Sequence, residues 1–129
     1  MRQDSLFNNE PSRKFREIVK EHGEVYTSPN LLKQGLEKYI EKVKEETMSN
    51  EFINIELAIK IKDVCLVLID DYESVDNEKK KYIVATINYF VTANDDEEDL
   101  YSPLGFDDDA DVLNECLNLI DKKELTIEL

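Results

Sequence analysis

The chain has 129 residues, the size of one ordinary domain, and its 41% hydrophobic residues suffice for one modest core. Three Gly and three Pro beside 36% charged residues exclude a turn-rich β-sandwich and favour helices. With 30 acidic against 16 basic side chains the formal charge is −14, which opposes binding to nucleic-acid phosphates or to an anionic membrane surface.

Residues 1–10 are polar apart from Leu6 and Phe7 and read as a flexible N-terminus. Pro11 is placed to open a short first helix carrying Phe15, Ile18 and Val19 on one side, which Gly23 ends. Ser28 followed by Pro29 is a helix-start pair, and Leu32, Leu36, Tyr39, Ile40 and Val43 recur at helical spacing as far as the polar stretch Glu45 to Asn50. From about Asn50 to Asp70 apolar residues cover most of a helical wheel, with a narrow polar stripe at Glu56, Lys60 and Asp63. The spacing predicts a third, central helix packed on several sides; the short run Val64 to Ile69 also suits a strand, but the combined length favours a helix. Asp76 is the expected N-cap of a fourth helix with Ile83, Val84, Ile87, Phe90 and Val91 on one face, ending near Ala93. A fifth begins around Asp107 and buries Val112, Leu113, Cys116, Leu117 and Ile120. Leu125 to Leu129 follow as a tail, read as a frayed or helix-continuing end, with a partner-docked strand as the alternative. The fold class is thus all-α: a single compact domain of about five helices over residues 11–121, around a nearly fully apolar central helix, with a C-terminal tail at 122–129. That central helix is covered either by its own neighbours or by a second copy.

Cys65 and Cys116 sit in apolar segments and read as free core thiols. Residues 1–9 contain no apolar stretch of signal-peptide type, and the longest apolar run falls far short of the roughly 18 residues that span a bilayer. The expectation is a soluble cytoplasmic protein.

No catalytic constellation can be assembled. The one histidine, His22, precedes Gly23 at the end of the first helix, where a cation suits the helix dipole. Two separated cysteines and one histidine lack zinc-ligand spacing, and the isolated Gly23, Gly35 and Gly105 form no phosphate loop. The reading is non-enzymatic.

The charge is local. Between Tyr82 and Asp121 stand eleven acids and no Lys or Arg, so −11 of the −14 belongs to one stretch. Asp107, Asp108 and Asp109 suit the dipole of the fifth helix, whereas Asp95 to Asp99 follow a helix C-terminus and Lys79 to Lys81 stand near a helix start, both on the unfavourable end. An EF-hand is rejected, because its Gly and Glu positions hold Val112 and Asn118 counted from Asp107, or Leu100 and Phe106 counted from Asp95. A looser oxygen site for Mg²⁺, Mn²⁺ or Ca²⁺ from Asp95, Asp99, Asp108 and Asp109 is chemically sensible. The outer acids Asp96, Glu97, Glu98, Asp107 and Asp111 are the candidate contacts for a basic protein partner, and residues 94–111 form the acidic loop. Gly105 permits a turn, Phe106 is placed to anchor the loop on the core, and Asp108 or Asp109 to cap the fifth helix. A third reading, an acidic nucleic-acid mimic or immunity-type inhibitor, is weakened because the first three helices are nearly balanced in charge.

Tyr89-Phe90-Val91-Thr92, then Asp95, Asp99, Gly105-Phe106, Asp108-Asp109-Ala110 and Val112-Leu113, resemble in order and spacing the signature of the YkvA-like domain family, small bacterial helical domains without an assigned activity. With the preceding helices the likeness covers residues 55–120. It departs where the family has apolar residues and a proline between its first two aspartates, here Asp96, Glu97 and Glu98, with a proline only later at Pro103. The resemblance implies a helical fold in a bacterial protein and singles out Asp95, Asp99, Gly105, Asp108 and Asp109. It implies no reaction.

Overall fold

The structure is a computed structural model, described here for residues 10–23, 27–49, 53–92 and 106–128. Among these residues the protein is all-α: α1 (Arg13–His22), α2 (Pro29–Thr47), α3 (Ile55–Asp71), α4 (Asn77–Thr92) and α5 (Asp107–Leu119), with 3₁₀ turns at Tyr72–Ser74 and Lys123–Leu125 and no strand. Residues 1–9 and 93–105, which carry the expected flexible N-terminus and most of the acidic loop, lie outside the described residues.

Short polar side chains set the helix starts. The Ser12 hydroxyl accepts from the Phe15 amide at 3.1 Å, Ser28 from Leu31 at 3.3 Å, Asn54 from Leu57 at 3.1 Å and Asp76 from Lys79 at 2.9 Å. This corrects the expected start of α1: Ser12 is the N-cap, so Pro11 stands before the helix rather than in its first turn. Pro29 occupies the first turn of α2, as its spacing predicts.

Packing follows from the apolar faces. Helix α3 packs against α2, α4 and α5, burying Leu57, Ala58, Ile61, Cys65, Leu68 and Ile69 while Val67 stays 40% exposed. Helix α4 touches all four other helices, and its consecutive residues Ile83 to Ile87 are all buried. A helix buried on successive residues has neighbours on every side. Among the described residues no helix is long and apolar enough to cross a membrane.

The tail departs from the expectation of a frayed or continuing helix. Asp121, at φ 64°, takes the left-handed conformation, and the Lys122 amide then returns to the Leu117 carbonyl at 2.8 Å, a helix stop of the Schellman type. Past the 3₁₀ turn, the Asn114 amide group donates to the Ile127 carbonyl and accepts from the Ile127 amide, both at 2.8 Å. The side chain mimics a strand neighbour, and Leu125 and Ile127 pack against the core.

Gly23 closes α1 by donating its amide to Val19 at 2.8 Å. A Cβ there would lie 2.8 Å from the Val19 carbonyl oxygen and 3.0 Å from that of Lys81, whereas one at Gly35 would meet nothing within 4 Å. Backbone atoms cannot swing aside, so Gly23→Ala is expected to cost about 2 kcal/mol. Gly35→Ala, inside α2, is expected to gain about 1 kcal/mol from helix propensity. Urea unfolding of the two variants checks the opposite signs.

Candidate functional site

Successive helical residues point about 100° apart, so Phe90 turns into the core while Tyr89 stays at the rim, near the end of α4. Phe106 and Asp108 divide in the same way at the start of α5. The rings of Phe90 and Phe106 meet edge to face with centroids 6.1 Å apart, and beside them the Tyr89 hydroxyl donates to Asp108 Oδ2 at 2.6 Å. One apolar and one polar contact thus fasten the two helix ends that flank residues 93–105.

Helix α1 is bound to the same frame. Lys14 Nζ donates to Asp108 Oδ1 and forms an ion pair with it. Seven residues on, and so on the same face of α5, Glu115 takes two hydrogen bonds from Ser12, its amide to Oε2 at 2.6 Å and its hydroxyl to Oε1 at 2.8 Å. Asp108 and Glu115 therefore hold the N-terminal turn of α1 against α5. The other end of α1 meets α4 through the Asn88 side-chain amide, which donates to the His22 carbonyl at 3.2 Å, and through the His22 ring, edge-on to Tyr89 at 6.0 Å. The imidazole serves here as a packing group.

The site residues read from the sequence divide accordingly. Asp95, Asp96, Glu97, Glu98, Asp99 and Gly105 lie outside the described residues. Phe106 is buried and anchors the start of α5 as expected. Neither Asp108 nor Asp109 was found capping α5: Phe106 occupies the N-cap without a side-chain bond, and Asp108 is drawn away by Lys14 and Tyr89. Asp109 is 6% exposed, turned inward, and its charge bears on the Cys65 thiol. Asp107 is half-buried at a polar cleft with Lys60 and Glu128, and Asp111 is exposed. Among the described residues no three His, Cys, Asp or Glu side chains are grouped to hold a metal ion.

Both cysteines are free and buried. Burial pushes the Cys116 thiol up to about 12, and pushes Cys65 higher still. Neither is a thiolate near neutrality, so neither has the nucleophilic form. Ser12, Lys14 and Glu115 were not singled out from the sequence as partners of one another; an exposed serine and lysine at a helix start carry no local signal of a bond to residues about a hundred positions away.

Comparison of the chain with protein-family models, with curated proteins and with solved structures finds no match. Tyr89 and Asp108, two residues of the motif read in the sequence, bond each other.

Partial burial favours the neutral form of Asp108, but the hydrogen bonds from Lys14 and Tyr89, with the Lys14 charge, outweigh it and hold the carboxyl below its ordinary value. Such a group binds a proton less readily folded than unfolded. Its contribution to stability is complete above the ordinary aspartate value of about 3.9 and is lost as the pH falls through that value toward the folded one. Because the pair is half exposed, Asp108→Asn is expected to cost about 1 kcal/mol at pH 7. It is also expected to flatten the acid limb below about pH 4, read by thermal unfolding followed at 222 nm.

Proposed function

We propose that this chain is a non-enzymatic cytoplasmic interaction domain whose acidic stretch, residues 94–111, docks on a basic protein partner. The observation that carries this reading is the concentration of eleven acids without a Lys or Arg between Tyr82 and Asp121. The framing of that stretch supports it. Tyr89 with Asp108 and Phe90 with Phe106 fix the helix ends on either side, so a partner would meet a stretch whose ends are already held.

The acids serve two purposes. Asp108 and Glu115 bind α1, and Asp109 faces inward. Asp111 on the exposed surface, half-buried Asp107, and Asp96, Glu97 and Glu98 in the sequence between the helices supply the field that steers a cationic surface and sets its register. The same field repels anionic lipid and nucleic acid.

The test uses a fluorescein-labelled arginine-rich peptide as a defined stand-in for a basic partner. Asp96→Lys with Glu98→Lys is compared with Glu41→Lys plus Glu45→Lys on α2, which changes net charge equally. The first pair is expected to weaken binding, read by fluorescence anisotropy, about tenfold, and the second by less than about twofold. Equal weakening would reduce the interaction to net charge and overturn the reading.

A further inference from the structure

The opposite end of α4 carries the opposite chemistry. A cleft of about 660 Å³ opens between α1 and the first turns of α4, with a floor of Pro11, Val19 and the Tyr82 ring. Arg16 and Lys20 line one wall and Lys81 the other, three cations in a chain of net charge −14. Glu10 and Glu78 also line the cleft, leaving it net positive.

These cations are little used by the fold. Arg16 donates to the Pro11 carbonyl at 2.9 Å, which turns the guanidinium toward the cleft that Pro11 lines. Lys20 and Lys81 form no ion pair with another described residue, whereas the neighbouring Lys79 and Lys80 reach Asp121 at 4.0 Å and Glu73 at 3.7 Å. Lys81 also stands near the positive end of the α4 dipole, so an anion beside it relieves two unfavourable terms together. Burial and the nearby Glu78 raise the Tyr82 hydroxyl above its ordinary value, and it remains a hydrogen-bond donor throughout the neutral range.

We propose that this cleft binds an extended acidic peptide segment of a partner protein, distinct from the basic partner of the acidic stretch. The spacing favours a peptide. Arg16 and Lys20 are one helical turn apart, about 6 Å between their Cβ atoms, close to the roughly 6.7 Å that separates side chains on one face of an extended strand. Acids at alternate positions would meet Arg16 and Lys20 in turn, and the side chains between them, on the opposite face of the strand, would point toward the α4 wall with Lys81 and Tyr82.

The probe is a fluorescein-labelled peptide alternating Glu and Val, titrated with the whole protein at two salt concentrations. Saturable binding that weakens with salt is expected, with a loss of about tenfold in Lys20→Glu plus Lys81→Glu and less than about twofold in Lys38→Glu plus Lys42→Glu on α2. All four lysines are on the surface, and circular dichroism confirms that both variants keep their helices. Absence of saturable binding, or equal loss in the two variants, overturns the proposal. So does a concentration-dependent dimer that Lys20→Glu plus Lys81→Glu disperses in sedimentation, which would assign the cleft to a second copy. Loss of arginine-peptide binding in the acidic-stretch variant, with Glu-Val peptide binding intact, would keep the two surfaces separate.

Discussion

The structure depends on the burial of α4. Five consecutive residues, Ile83 to Ile87, are inside, with all four other helices packed around them, so charge near α4 gathers toward its ends. Lys79 to Lys81 stand at its start, and the acidic stretch follows Thr92. Both placements oppose the helix dipole, at a cost of about 0.3–1 kcal/mol for each charge before screening. Burying one Ile or Phe side chain returns about 1.5–3 kcal/mol, and α4 buries Ile83, Ile87 and Phe90 among others. Packing therefore outweighs the electrostatic disadvantage, and α4 can keep charges at its two ends that an isolated helix would disfavour.

Relief of that disadvantage differs at the two ends. At the start, Lys80 lies 3.7 Å from Glu73 and over the Tyr72 ring, and Lys79 reaches toward Asp121, while Lys81 has no ion pair among the described residues. At the far end, Asp108 accepts from both Lys14 and Tyr89 and Glu115 accepts twice from Ser12. Helix α1 packs mainly on α4, with Phe15 and Ile18 in the core, and acids of α5 fasten its N-terminal turn. A region with no Lys or Arg of its own thus meets the basic first helix through the ion pair of Lys14 with Asp108, and through the Ser12 turn that Glu115 holds. Charge segregated along the chain is partly rejoined in space.

The helices were legible because each rests on local chemistry: helix starts at Ser28 and Asp76, and apolar residues recurring every three or four positions, although the central helix, read from about Asn50, begins only at Ile55, where Asn54 caps it. Phe106 as an anchor and the cysteines as core residues were legible for the same reason, large or soft apolar groups beside other apolar groups. The Ser12 cap was obscured by Pro11, itself a good first-turn residue. The ordered tail depends on Asn114, thirteen residues upstream, and on a left-handed Asp121 where a glycine would have marked the stop. In the candidate site, Asp108 was read both as a metal ligand and as a cap, because an aspartate beside a helix start is suited to a metal, a cap or a cation alike. Only the arrival of Lys14 and Tyr89 decides among these, and that is a product of the packing of α1 and α4 on α5.

The most direct measurement is a titration of the ¹⁵N-labelled protein with an unlabelled arginine-rich peptide, followed by amide chemical shifts. A surface framed by α4 and α5 is expected to give saturable shifts centred on residues 94–99, Asp107 and Asp111, with α2 unmoved and the Tyr89 amide, inside α4, retaining its protection from exchange. Shifts distributed over exposed acids of α2 and α3 to the same extent would contradict the account, because binding would then follow overall charge rather than the framed stretch.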